Sequence, residues 1–457
     1  MVRPIKVIDH IKDHKDQYID QLIELLKIPS VSTDPNYKED VSKCADFLAN
    51  QLKTAGLKNI QVTPTKGHPI VYADWCHQPD RPTVLIYGHY DVQPPEPLEL
   101  WDNPPFEPTI KDNALYARGV ADDKGQLFCH IKAIDSFLKT TQALPLNIKL
   151  VFEGEEEIGS PNLASYLESN KDQLNADIAL ISDTPMLGKD QPSICTSLRG
   201  LIYLQLNITS ANADLHSGQH GGAVPNAIQC LTNIISALKD DQGKVQIPGF
   251  YDDVLDIPSE IQSQLKTLED PESYKKEAGV TTLVGEAGFS YLEQRWLRPT
   301  LDCNGIYGGY TGEGAKTVIP AKASAKISMR LVANQDPQHI VQRTKSYLQS
   351  LVPDGITLEI KEFAASSPVQ VNTDNPAIKA ASESIQDIHN KAPILNGEGG
   401  SIPVVGDLKE VLGVDTVLLG FNLPDDGIHA PNERFGIENF MNGIQVASCF
   451  YETYSKK

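Results

Sequence analysis

The chain has 457 residues and a formal net charge of −20, with 60 Asp and Glu against 40 Lys and Arg. That excess argues against a nucleic-acid or anionic-membrane partner, both of which call for basic patches, and the length calls for two domains or more. No apolar stretch approaches the roughly 18 residues that cross a bilayer. The opening MVRPIKVIDHIKDHKDQ lacks the apolar region of a signal peptide, and the seven cysteines form no CxxC pair, which suits a reducing cytoplasm and argues against a cysteine-based zinc site.

Apolar spacing predicts helices over 18–28 and 41–56, the second stopping at Gly56. Strand-like runs follow at 70–75 and 83–89, a helix at 125–141, and strands at 148–154 and 176–183. Near-continuous Val/Ile/Leu strands alternating with helices indicate a mostly parallel sheet covered by helices on both faces. From about Gly200 the texture changes: 201–211 alternates like a half-exposed antiparallel strand, 225–239 is helical, and a Pro-, Asp- and Glu-rich stretch runs to about 275. Strands at 325–334 and 356–364 flank a helix at 339–351. The α/β texture returns with a helix at 375–391, a strand at 414–421 and a last helix near 437–454. The expectation is an α/β domain, residues 1–199 and 373–457, interrupted by an α+β insert, residues 200–372.

One apolar strand ends in FEGEEEIGS, with Glu153, Glu155, Glu156 and Glu157 within five positions. Like charges so close repel, so either the run is a solvated turn or positive charge gathers there. Other strands end similarly. TVLIYGH ends in His89 with Asp91 two residues on, IALISD ends in Asp183, and VLLGF leads to Asp425, Asp426 and His429; Asp122 and Asp123 precede the helix at 125. Singly, each has a plain account: a structural histidine, a helix N-cap, a surface loop. Jointly they stand at the carboxyl edge of one sheet, where open α/β sheets bind ligands. Imidazoles and carboxylates without thiols suit a hydrolytic divalent-metal centre, most economically two ions sharing a bridging carboxylate.

The ordered motifs GHYDVQP (88–94), YARGVADDKG (116–125), EGEEEIGS (153–160), ISD (181–183), DLHSG (214–218), KTVIP (316–320) and EGGSIP (398–403) span nearly the whole chain. In this order they resemble the M20 metallopeptidases, and within them the dipeptidase branch that includes cytosolic non-specific dipeptidase and the carnosinases. The resemblance implies that His89 and Asp183 hold one metal, Glu157 and His429 the other, and Asp122 bridges them. The ions are usually zinc, with manganese in some dipeptidases. It further implies Glu156 as the general base acting on a metal-bridging water, Asp91 as the residue orienting His89, and a cis peptide between Asp122 and Asp123. Glu156 and Glu157 are adjacent, so one serving as base and one as ligand needs a local turn between them. Glu153 is expected to buttress the site or pair with a cation, and Glu155 to face solvent.

By the same resemblance the insert is a lid or dimerisation domain of a cytoplasmic homodimer. His216 reaches the partner subunit's site to stabilise an oxyanion, a role that otherwise reads as a turn histidine. Arg330 clamps the substrate's C-terminal carboxylate, and Thr317, Ser401, Asn304 and Glu398 make further substrate contacts. The function implied is metal-dependent dipeptide hydrolysis. The alternatives are an amide hydrolase acting on N-acyl amino acids and a non-catalytic metal-binding homologue; retention of Glu156 and all five ligand positions speaks against the last.

Overall fold

A computed structural model describes residues 3–400 and 402–457, with Glu277 by its backbone alone. The chain divides into two compact units: Met1–Thr196, Val371–Asn396 and Pro403–Lys457 form one, and Ser197–Gln370 with Gly397–Ile402 the other.

The first unit is α/β. Its strands lie in the order Lys58–Thr63, Ile70–Trp75, Asn147–Glu153, Thr83–His89, Ile178–Ile181, Asp415–Leu418 and Ser193–Leu198. The four central strands, from Asn147–Glu153 to Asp415–Leu418, run parallel. Antiparallel strands flank them on both sides, so the parallel pairing occupies the middle of the sheet. Every residue of Val84–His89 and of Ile178–Ile181 is buried, as expected where helices cover both faces. Helix Lys38–Ala55 ends at Gly56, which takes the left-handed conformation with φ +100° that favours glycine as a stop. A helix at Ile5–Asp13 and the edge strand Lys58–Thr63 were not anticipated; the strand is mostly exposed and its KNIQVT carries little apolar signal.

Chain order and spatial order together locate the functional edge. From Thr83–His89 the chain passes to Asn147–Glu153 on one side, then crosses to Ile178–Ile181 on the other. The order therefore reverses about Thr83–His89, and ligands of such sheets settle beyond the carboxyl ends at the reversal. Register fixes what emerges there. His89 pairs with Glu153, and Tyr87 with Ile181, so Asp183 leaves its strand level with His89.

The second unit carries a four-stranded antiparallel sheet in the order Thr300–Gly308, Lys322–Leu331, Gly200–Thr209 and Thr357–Ser366. Alternation along Gly200–Thr209 and Lys322–Leu331 sends Ile202, Leu204, Leu206, Ile327 and Met329 into a core shared with helices Ala227–Ser236 and Pro337–Ser350. Each helix starts at a polar cap, Asn226 and Asp336, whose side chains accept backbone N–H groups. The strand Thr300–Gly308 was not anticipated, because its TLDCNGIYG is mostly exposed and bulges between Cys303 and Gly305. Among the described residues no helix is long and apolar enough to cross a membrane, and all seven cysteines are free.

Candidate metal centre

His89, at the end of its strand, is wholly buried. Its Nδ1 lies 3.1 Å from the carbonyl oxygen of Asp91 and 3.4 Å from that residue's Oδ1, which fixes the ring so that Nε2 faces outward. Nε2 is 2.9 Å from Asp122 Oδ1 and 3.8 Å from Asp183 Oδ2. The other oxygen of Asp122, Oδ2, lies 2.9 Å from His429 Nε2, which is 3.3 Å from Glu157 Oε2. Two donor groups result, His89–Asp122–Asp183 and Asp122–Glu157–His429, each with ligand atoms within 4.8 Å of one another. Asp122 belongs to both.

The glutamate run turns where the adjacency of Glu156 and Glu157 required it. Glu156–Ile158 forms a single 3₁₀ turn ended by Gly159 at φ +84°. The Asp91 carboxylate caps that turn: Oδ1 accepts the Glu156 N–H at 3.2 Å and Oδ2 the Glu157 N–H at 3.1 Å. Asp91 thus holds His89 and both glutamates, more than the orienting role expected of it. Glu155 does not face solvent. It is buried, and its oxygens accept the His68 N–H at 3.1 Å and the Asn162 side-chain amide at 2.7 Å. Among the described residues Glu153 pairs with no cation; it accepts the hydroxyls of Tyr87 (2.5 Å) and Ser160 (2.8 Å), and burial pushes its carboxyl up to about 8.

Asp122 is delivered by a loop of unusual backbone. Gly119 takes φ +78°, and Asp122 sits at φ −127°, ψ 91° within an otherwise helical turn. The Asp122–Asp123 peptide is cis. The helix Gly125–Thr141 has no side-chain cap, so the capping account of this motif does not hold. Asp123 instead lies beneath His89, with Oδ2 3.4 Å from the His89 nitrogen and Oδ1 buried without a partner among the described residues. Asp425 and Asp426 stay out of the cluster: Asp425 pairs with Arg434 at 2.6 Å, and Asp426 accepts the Leu423 N–H at 2.7 Å.

Charge is what this cluster lacks. Burial raises the carboxyl of Asp183, helped by the Asp122 charge, and burial likewise raises Asp123. Glu156 is pushed up to about 7 by burial, with Glu157, Asp122 and Asp91 adding to the rise against the pull of His89. The imidazoles move the same way. His429 rises to about 10 through its hydrogen bonds to Asp122 and Glu157, and His89 rises because Asp122 and Asp91 overcome its burial. Asp122, between two imidazoles, is held low despite burial. A cluster that draws protons onto imidazoles and carboxylates alike is short of positive charge. Its donors, oxygen and imidazole nitrogen without sulfur, fit divalent zinc or manganese.

Two contributors were assigned no role from the sequence. Gln93 donates its side-chain amide to Glu157 Oε2 at 2.7 Å. Glu433, wholly buried, accepts N–H groups from the Asp122 loop. Gln93 lies within the GHYDVQP motif but was given no role there, whereas Glu433 is a single polar residue in a loop with nothing in its spacing to mark it.

The remaining expected site residues belong to the second unit. His216 and Thr317 come together there: Leu215–His216 pairs with Val318–Ile319, and the Ser217 N–H donates to the Thr317 carbonyl. His216 is exposed and its Nδ1 accepts the Gly218 N–H at 3.0 Å, a turn-histidine geometry that leaves Nε2 for other partners. Arg330 lies opposite Thr300 on one side and Leu201 on the other, and Asn304 occupies the bulge. Glu398 Oε1 accepts the N–H groups of Gly399 and Gly400. Ser401 lies outside the described residues.

Known proteins resemble the chain in sequence and fold. Residues 85–453 match peptidase family M20/M25/M40. The chain is 33% identical to the Cys-Gly metallodipeptidase of Candida albicans, over 98% of this chain and 96% of that one. Its fold matches the M20 family metallo-carboxypeptidase of Sulfolobus solfataricus with a TM-score of 0.85 at 35% identity, covering 96% of this chain and 99% of that one. It matches human carnosine dipeptidase 1 with a TM-score of 0.83 at 27% identity, covering 99% and 98%. Agreement over so much of the sequence and fold has one meaning: the chain belongs to peptidase family M20/M25/M40 and is a metallopeptidase.

Proposed function

We propose that the protein hydrolyses dipeptides at the bond next to a free C-terminal carboxylate. The observation that carries this is Asp122, whose two oxygens each stand 2.9 Å from a different histidine. In this reading His89 and Asp183 would hold one divalent ion and Glu157 and His429 the other, with Asp122 available to both. Zinc is the first choice and manganese the second. Bound there, the ions would supply positive charge that polarises the scissile carbonyl and eases loss of a proton from water. Glu156, fixed through its backbone by Asp91, takes that proton at its carboxylate and passes it to the leaving amine. His216 donates from its imidazole to the oxyanion in the partner subunit's site of a homodimer. The Arg330 guanidinium donates to the substrate carboxylate in the two-pronged manner suited to it. Thr317, Ser401, Asn304 and Glu398 are further contacts, and residues 200–372 serve as lid and dimerisation domain. The free cysteines support a reducing, cytoplasmic setting.

The substrate class is supported by relatives that are dipeptidases for Cys-Gly and for carnosine. The carboxypeptidase among them favours a second reading, in which longer peptides also lose their last residue. Metal analysis, with turnover of free dipeptides, N-blocked tripeptides and N-acyl amino acids with and without chelator, separates these. Dipeptide turnover that chelator abolishes and zinc or manganese restores is expected. Faster loss of the last residue from tripeptides makes it a carboxypeptidase, and faster N-acyl cleavage a deacylase. The shared site requires His216→Ala and Glu156→Gln chains, each inactive alone, to recover activity on mixing; no recovery refutes it.

A further inference from the structure

Asp122 must present one oxygen to His89 and the other to His429, although the three residues come from distant parts of the chain. Asp122 breaks an otherwise helical turn, Val120–Lys124, at its own φ and ψ. That break is braced by Glu433. The Oε2 of this wholly buried carboxylate accepts the Gly119 N–H at 2.7 Å and Arg118 Nη1 at 2.8 Å. Its Oε1 accepts the Ala121 N–H at 2.8 Å and the Asp122 N–H at 3.2 Å. The Glu433 backbone carbonyl also accepts the Ala117 N–H at 3.1 Å. Glu433 therefore engages the loop from Ala117 to Asp122 by main chain and side chain together. It lies four residues beyond His429, whose turn, at φ +60°, is closed by the Arg434 N–H donating to the Asp426 carbonyl at 2.9 Å.

We propose that Glu433 is a positioning residue that sets Asp122 against His429, and through Asp122 against His89, so that both metal positions depend on it. It contributes no donor atom to either group of ligands. It acts by ordering the backbone that aims them, as outer residues of metal sites do. The carboxylate suits the task because it offers two oxygens to three N–H groups and a guanidinium. An amide offers one oxygen, and turns N–H against N–H at the other.

The inference rests on the dinuclear reading above, and the test separates the two. The parent, Glu433→Gln and Glu433→Asp are titrated with Co²⁺, with binding followed by visible absorption and folding by circular dichroism. The parent takes up two ions per chain, and both variants bind them roughly 10- to 100-fold more weakly, with a changed cobalt spectrum and activity that returns at raised metal concentration. A parent that binds no cobalt removes both readings. A parent that binds two ions and variants that bind as tightly, with the parent spectrum, remove only this one. Arg118→Met combined with Glu433→Gln eliminates the buried charge as well as its partner. Parent affinity in that double variant would mean that Glu433 only neutralises Arg118, and the positioning role falls. Should Glu433→Gln not fold, Glu433→Asp, which keeps the charge and shortens the reach, decides by the same criterion.

Discussion

Replacing Asp91 by Asn changes one atom in a wholly buried side chain, yet it touches three of the residues proposed for catalysis. The carboxylate accepts the Glu156 N–H at 3.2 Å on one oxygen and the Glu157 N–H at 3.1 Å on the other, and stands 3.4 Å from His89 Nδ1. In Asn one oxygen remains and the other becomes an amide that must face an N–H donor. One charge-assisted bond is lost and one donor is left buried without an acceptor, a cost of about 1.5–3 kcal/mol. The donors at stake begin the turn bearing Glu156, so the cost is expressed in how that carboxylate is aimed. At 1.36 kcal/mol per tenfold it corresponds to a fall in kcat/KM of roughly 10- to 150-fold. The assay is dipeptide hydrolysis at saturating metal, with metal content measured on the same sample. A variant within about threefold of the parent at equal metal content would show that the Asp91 carboxylate does not hold the base.

Glu156→Gln retains the shape of the side chain and lowers kcat by roughly 10²- to 10⁴-fold with metal content unchanged; full turnover in a metal-loaded variant removes Glu156 as the base. Chelation lowers the melting temperature more at about pH 7.5 than at about pH 5.5. Asp183 and Asp123 have raised affinities for protons, and Glu156 is raised to about 7, so the metal-free protein regains stability as pH falls through about 7. Thermal scans with and without chelator check this, and an equal drop at both pH values contradicts it. Far from the site, burial lowers Lys132 to about 8 from its ordinary 10.5, although its amine reaches Gln51 at 2.9 Å and lies 4.4 Å from the Phe128 ring centre. The unfolded chain holds that proton more tightly, so the penalty is complete below about pH 8 and fades as pH rises to about 10.5, worth at most about 3 kcal/mol. Lys132→Met is therefore more stable than the parent to urea at pH 7, by an advantage that shrinks toward pH 10; a constant difference refutes the account.

The parallel strands were legible because burial on both faces leaves unbroken apolar runs, as in TVLIYGH and IALISD. Those runs end in His89 and Asp183, so two of the five candidate donors could be read from where hydrophobicity stops. Strands such as Thr300–Gly308 and Lys58–Thr63 were not legible, since mostly exposed strands carry no such pattern and depend on their neighbours. The glutamate run shows the limit at the level of single residues. Glu155, Glu156 and Glu157 are identical in chemistry, and only the turn capped by Asp91 sends one to Asn162 and another to His429. Glu433 was hidden for a related reason: all but one of its partners, Arg118, are backbone N–H groups, which leave no mark on the identity of the residues that supply them.

Asp122 has a consequence for how sequence change can be tolerated here. One small carboxylate serves two imidazoles, one oxygen each. Any substitution at His429 alters the charge distribution that His89 meets, and the reverse holds equally. The effects of single replacements at these two histidines will not sum, and a double-mutant cycle between them should show strong coupling without direct contact between the rings. Drift at one histidine is thereby constrained by the other, and the route to a new metal preference runs through paired rather than single changes.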